Sequence, residues 1–275
     1  MHRERVSDNV YWFQSEVYAQ VTAGVVAGPQ WAVVIDTLAL PDETQTIREF
    51  IEHELSVPVR YVINTHYHAD HAWGNCFFPG ATVISHARCR ELLEERGVPS
   101  LEAAKKHNPA LRQVRIVPPH MTFVNGDMTL RVGKKNLIIS SSFGHSEDGI
   151  SVLVEEDRIL FAGDAFMPVP HIVDGDVDEN ITSIKLMAKL GLENIVQGHG
   201  DIILRGEIDA AVKENLNYLT SIKKSVKSIS RRKNAIELLE DIKIESCGKS
   251  RVYLGGLAEG LHQSNLHALL RQMTQ

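Results

Sequence analysis

Cysteine is scarce: the 275 residues hold three, Cys76, Cys89 and Cys247, an odd number, widely spaced and with no CxxC pair. That argues against a disulfide framework and against a cysteine zinc site, and leaves reduced, buried thiols as the expectation. Positive charge is in deficit as well. The formal net charge is -6, so the summed field repels phosphate backbones and anionic membrane surfaces. Nucleic acid and membrane are therefore not expected partners, and a small-molecule substrate is. No apolar run is long enough to span a bilayer, and the opening MHRERVSDNVYWFQ carries early positive charge without an apolar stretch of signal-peptide length. The compartment this predicts is the cytoplasm. No low-complexity linker divides the chain.

What is present is ordinary globular composition, 43% hydrophobic and 23% charged. VYWFQSE, VTAGVVAG and WAVVIDT, between Val10 and Thr37, read as three β-rich runs with GPQ as a turn, an antiparallel opening. PDETQTIREFIEHEL has Pro41 and acidic residues at its start, and Ile47, Phe50, Ile51 and Leu55 on one helical face. RYVINT is a strand that opens into HYHADHAWGN, and SHARCRELLEERG, from Ser85 to Gly97, reads as a second helix. MTFVNGDMTLRV, NLIISSS, ISVLVEEDRILFAG and NIVQG are again strand-like, with NGD and EED as hairpin turns. Helical spacing follows at Ile181, Ile184 and Ala188, and over Ile208 to Ile229. The fold class this implies is α/β, two sheets with helices outside. Residues 1–230 are expected to form the catalytic domain. Residues 231–275, carrying Leu257, Leu261, Leu266, Leu269, Leu270 and Met273, are expected to form a helical extension packed on it or on a second copy in a homodimer.

Histidine is the compositional outlier, with 13 copies, and a neutral imidazole is the commonest metal ligand. In Thr65–His71, THYHADH, a strand ending at His66 would put His66 and His68 on one face with Asp70 and His71 just beyond. Imidazole with carboxylate suits zinc, iron or manganese at about 2.0–2.2 Å. His145, Asp164 and His199 each follow a strand-like run, so all seven can meet at one edge of a two-sheet assembly. His171, in MPVPHIVDGD just after Asp164, is a candidate substrate contact. His2, His53, His107, His262 and His267 read as exposed or packing residues.

THYHADHAWGN, FGHSEDGISVLV, ILFAGDAF and IVQGHG, in that order, resemble the motifs of the metallo-β-lactamase superfamily, over roughly residues 10 to 230. The resemblance implies an αβ/βα four-layer sandwich holding two divalent ions, zinc being favoured over iron or manganese. It implies His66, His68 and His145 on one ion, Asp70, His71 and His199 on the other, and Asp164 as the bridge. The pattern is similar to that of glyoxalase II, lactonase and phosphodiesterase branches; true β-lactamases place another residue where Asp164 stands. A metal-bridging hydroxide would attack a carbonyl substrate, with Asp70 orienting it and passing its proton on.

Two departures bear on substrate. Ser146-Glu147-Asp148-Gly149 replaces a Thr-Pro-Gly-Ser type of turn, and Trp73 stands where many relatives carry glycine, so its ring either narrows the site or packs in the core. The metal-bearing loops hold no lysine or arginine, so neutral lactones, esters and thioesters are expected over β-lactams. The alternatives are a phosphodiesterase and an iron-dependent redox enzyme of the same fold, like the persulfide dioxygenases. Against the redox reading, flavodiiron relatives usually have glutamate where His68 stands.

Overall fold

The computed structural model of the chain describes residues 1–274. β1 (His2–Ser7), β2 (Val10–Gln14), β3 (Thr22–Ala27) and β4 (Ala32–Ile35) pair antiparallel in succession. Crossovers then turn the pairing parallel. α1 (Pro41–Glu49) runs into a π-turn at Phe50–Glu54 before β5 (Val59–Ile63), and α2 (Ala69–Ala72) precedes β6 (Thr82–His86). α3 (Ala87–Leu92) and α4 (Val98–Lys105) lead to β7 (Met121–Phe123), which completes a seven-stranded mixed sheet beside β6.

The second sheet begins as a meander of β8 (Met128–Val132), β9 (Lys135–Ser141), β10 (Ile150–Val154) and β11 (Ile159–Gly163). α5 (Val177–Met187) crosses to β12 (Asn194–Gln197), parallel to β11, and β13 (Ile203–Leu204) closes the edge. α6 (Ile208–Ile229), α7 (Ala235–Leu239) and α8 (Ala258–Thr274) follow.

Strand alternation builds the layers. Val10 and Trp12 of β2 face the second sheet, where they meet Leu137, Ile139, Val152 and Phe161, while Tyr11 and Phe13 point the other way onto Phe50 and Ile51. In β9 and β11 the same period sends Ile138 and Leu160 outward to α5 and α6. The result is helix, sheet, sheet, helix. Leu239, Ile244, Ala258, Leu266 and Leu269 bury in the same cluster as Leu219, Ile222 and Val226 of α6, so the described residues beyond 230 pack into the outer layer of their own chain. No helix among the described residues is long and apolar enough to cross a membrane.

Four details differ from the sequence reading. NGD (Asn125–Asp127) is not a hairpin turn: β7 belongs to the first sheet and β8 to the second, so it carries the chain between sheets, whereas EED does close the β10–β11 hairpin. Ser85 and His86 end β6, and the helix begins at Ala87 because the His86 ring caps it, accepting from Arg88 N at 3.2 Å. The polar segment His2–Ser7 is an edge strand held by β2. Finally, β5 ends at Ile63, so the histidine motif lies in a loop and the short α2 rather than on a strand.

Candidate metal centre

The loop after β5 is held by Asp36, which sits at the end of β4 in the left-handed region at φ 58. Its carboxylate accepts from Thr65 N and Thr65 Oγ1, each at 2.7 Å, and from His71 Nδ1–H at 2.8 Å. This strained turn spans the motif and fixes both its ends. Two glycines let the second sheet close on it. Gly163, at φ 51, packs on the Thr65 side chain, and a Cβ on Gly198 would collide with Asp164 Oδ1.

Each of the five histidines has one ring nitrogen committed to an acceptor. His66 Nδ1–H donates to Thr65 Oγ1 (3.1 Å), His71 Nδ1–H to Asp36, His145 Nδ1–H to the His171 carbonyl (2.6 Å) and His199 Nδ1–H to the Ala19 carbonyl (2.9 Å). His68 is turned round: its Nε2–H donates to Asp174 Oδ2 at 2.9 Å. The opposite nitrogens are the ones that converge. His68 Nδ1 lies 3.0 Å from both His66 Nε2 and His145 Nε2. Asp164 Oδ2 is 3.5 Å from His145 Nε2 and 3.3 Å from His199 Nε2, while its Oδ1 is 3.2 Å from His71 Nε2. Asp70 Oδ2 is 3.4 Å from His199 Nε2.

These donor atoms fall into two groups that could each hold an ion, His66 with His68, His145 and Asp164, and Asp70 with His71 and His199. The donor chemistry fits divalent cations. His71 Nε2 and Asp164 Oδ1 are buried with no hydrogen-bond partner among the described residues, an arrangement that costs free energy unless something electrophilic sits between them. Burial, with the His71 and His68 rings beside it, holds His66 far below its ordinary range, and burial pushes His145 down to about 3, so both keep lone pairs. Burial also opposes protonation of His71 and His199, but the surrounding carboxylates, Asp164 foremost, raise both. Asp164, although buried, is held well below the usual carboxylate range by His199, His71 and His145. The cluster draws positive charge to its centre.

The structure therefore brings together all seven candidate ligands. Of the two candidate substrate contacts, His171 stands with its ring centroid 5.7 Å from that of His145, and Trp73 is 5% exposed, packed with Leu101, Leu111 and Val114, with an edge on the adjoining cleft. That cleft measures about 320 Å3 and is lined by Tyr67, His68, Asp70, Trp73, Arg96 and Asp174. The metal-bearing loops themselves hold no lysine or arginine, but Arg96 reaches the cleft from the helical segment before α4. Nor do the acidic residues after His145 face the cleft as a pair: Glu147 pairs with Arg88 at 2.9 Å, and Asp148 is fully buried. Asp36, Tyr67, Arg96 and Asp174 are site residues that sequence reasoning missed. Tyr18, its hydroxyl held protonated by Asp70, burial and Asp164, is another.

Comparison with known proteins agrees with this architecture. A model of the metallo-beta-lactamase superfamily matches residues 18–199. The human acyl-coenzyme A thioesterase MBLAC2 is 24% identical over 78% of this chain and 84% of its own. A coenzyme F420H(2) oxidase of Methanothermobacter marburgensis is 26% identical over 65% of the chain. The chain spans less than half the length of the first curated relatives it matches, 46% of this oxidase among them. In fold, it superposes on the family protein TTHA1429 of Thermus thermophilus with a TM-score of 0.72 at 18% identity, covering 98% of this chain and 95% of that one. The family match over more than half of the residues, with which the two-sheet sandwich agrees, establishes that this chain belongs to the metallo-β-lactamase superfamily.

Proposed function

We propose that the chain is a dinuclear metal-dependent hydrolase of carbonyl substrates, with esters, lactones and above all thioesters favoured over β-lactams. The observation that carries this is the set of five histidines, each with one nitrogen tied back and the other turned to a common centre, where Asp164 lies within 4 Å of His66, His71, His145 and His199. Two divalent ions bound there, zinc by preference for this N/O donor set, supply an acidified water and a Lewis acid for the carbonyl.

The chain's own groups do the rest. Asp164 faces both halves and sets their spacing, and Asp70, partly exposed at the open side, takes up and hands on the proton of the attacking water. Tyr67, Arg96 and Trp73 form the wall on which the departing alcohol or thiol lies, polar at one end and apolar at the other. The thioesterase relative supports a thioester. The oxidase relative favours a second, redox reading of the same residues with iron.

Metal analysis with a visible spectrum separates the two: about two zinc ions per chain and no colour is the hydrolase result. A kcat/KM panel of acyl thioesters, aryl esters, lactones, a phosphodiester and nitrocefin then tests the substrate. Nitrocefin or the phosphodiester leading by about tenfold, roughly 1.4 kcal/mol in transition-state stabilisation, overturns the carbonyl preference.

A further inference from the structure

Behind the loops that carry Asp164 and His199 lies a second cavity, of about 230 Å3, walled by residues 166–168 and 200–201, by α6 and by the segment before α8. Two of its polar groups are short of partners. The Lys249 side chain is 3% exposed, yet among the described residues its ammonium, with three donors, meets only Glu214 Oε2 at 3.5 Å and the face of Tyr253, 5.8 Å from the ring centroid. Asn215, 1% exposed, donates Nδ2–H to the Met167 carbonyl at 3.0 Å, and its Oδ1 finds no donor among the described residues. A buried ammonium with unused donors and a buried orphan acceptor each cost free energy that an occupant would recover. Burial accordingly lowers the Lys249 pKa.

The two deficits are opposite in kind, and that defines the occupant. Lys249 asks for an acceptor and Asn215 Oδ1 for a donor. Glu214, half exposed at the mouth, accepts a second donor; of the remaining wall Phe166, Leu254 and Ile203 are apolar, while Gln20 and Gln197 are polar, the latter spending its amide N–H on the Asp201 carbonyl at 2.7 Å. A plain anion would face Glu214, and a plain cation would face Lys249. Asp201 on the rim is held by Gln14 at 3.2 Å. We propose that this cavity binds a small zwitterion with an apolar tail, the chemistry of an aliphatic α-amino acid. The carboxylate lies on Lys249, the ammonium between Asn215 Oδ1 and Glu214, and the tail against Phe166, Leu254 and Ile203. Its wall is the backbone adjoining Asp164 and His199, which makes this an effector position distinct from the open cleft beside His68.

Ligand-observed NMR and equilibrium dialysis with L-leucine test the site, with isovalerate and isoamylamine as the halves that lack its ammonium or its carboxylate. Leucine should bind saturably, and each half at least about tenfold more weakly, the worth of one charge-assisted bond. Lys249→Met should weaken leucine by at least about tenfold. Glu214→Gln, at a half-exposed side chain and so without cost to folding, should weaken it by about threefold. The proposal is overturned if leucine does not bind at millimolar concentration, or if either half binds as tightly. Binding that survives both substitutions, as coordination at the histidine centre would, overturns it equally.

Discussion

A histidine binds a metal well when its far nitrogen is anchored, because the anchor sets tautomer and ring direction and, when anionic, raises donor strength. His71 and His68 have carboxylate anchors, Asp36 and Asp174, and the other three have a hydroxyl or carbonyl. Asp174 also accepts from Tyr67 O–H at 2.8 Å and lies 3.8 Å from Arg96. Asp174→Asn should weaken the ion of the His66, His68 and His145 group by about 10- to 100-fold and leave the other in place. Chelator competition followed by metal counting reads this directly, and two ions retained at unchanged affinity would refute the anchoring role. Asp148 raises a different expectation. It is fully buried, neither carboxylate oxygen has a well-formed hydrogen bond among the described residues, and burial pushes its pKa up. A carboxyl whose folded pKa is raised adds stability below its unfolded pKa and loses it as pH rises through the folded value. Asp148→Asn, a mimic of the protonated form, should therefore leave stability near pH 4 almost unchanged and raise it by about 1–2 kcal/mol at pH 7–8. Denaturant midpoints across pH decide; parallel profiles for the two proteins would contradict the burial argument. The seven clustered ligands could be read in the sequence because short-range motifs and strand-end positions mark them. Asp36, Asp174 and Arg96 could not, since each matters only through a partner about 30 to 110 residues away, a distance that periodicity does not encode.

Elements follow the same division between local and long-range causes. β2 to β5, α1, α5 and α6 were legible because alternation, apolar stripes and a leading proline or acidic turn are local signals, as with Pro41 in α1 and the Asp176 cap of α5, which accepts from Asp178 N at 2.8 Å. NGD misled because a turn dipeptide between two period-2 runs looks the same whether the runs pair with each other or with separate sheets. β1 escaped because its polar text becomes a strand only through β2. The C-terminal elements are tied in by α8: Asn265 Nδ2–H donates to the Pro170 carbonyl at 2.7 Å, His262 meets Tyr218 Oη at 3.0 Å, and Leu266 is completely buried. If α8 is part of the same cooperative unit, Leu266→Ala should cost about 2–5 kcal/mol, the range for a truncated core leucine. Leu257→Ala, at a half-exposed position, should cost less than about 0.5 kcal/mol. Equal small losses for both would mean that residues beyond 230 unfold separately, which a second, low-temperature transition in calorimetry would also reveal.

At the scale of the whole molecule, the centre is a seam. His66, His68, Asp70 and His71 come from the first sheet's loop, and His145, Asp164 and His199 from three loops of the second. Backbone ties across that seam at the site's end are few among the described residues: Thr22 N–H donates to the Gly198 carbonyl at 2.9 Å, Ile150 N–H to the Thr65 carbonyl at 2.8 Å, and Gly200 N–H to the Gln20 carbonyl at 2.9 Å, beside side-chain bonds such as those of His199 to Ala19 and of Tyr67 and His68 to Asp174. On the proposed reading, ions held by donors from both sheets would act as a clasp on the folded state alone, because the unfolded chain does not preassemble a donor set drawn from positions 66 to 199. Linkage then gives the size of the effect: free metal at 1,000 times its Kd stabilises by about 4 kcal/mol per site. Removing it should lower the thermal midpoint by roughly 10 °C, given the 2–4 °C per kcal/mol typical of a chain of this size. The loss should be confined to the seam, with hydrogen exchange rising in residues 64–72, 144–149 and 198–200 while β2–β4 and α6 stay protected. Calorimetry and exchange on protein with and without chelator test both parts. An unchanged midpoint would mean that the two halves are locked without the ions, and protection lost uniformly over both sheets would mean that the metals organise the whole fold rather than its catalytic edge.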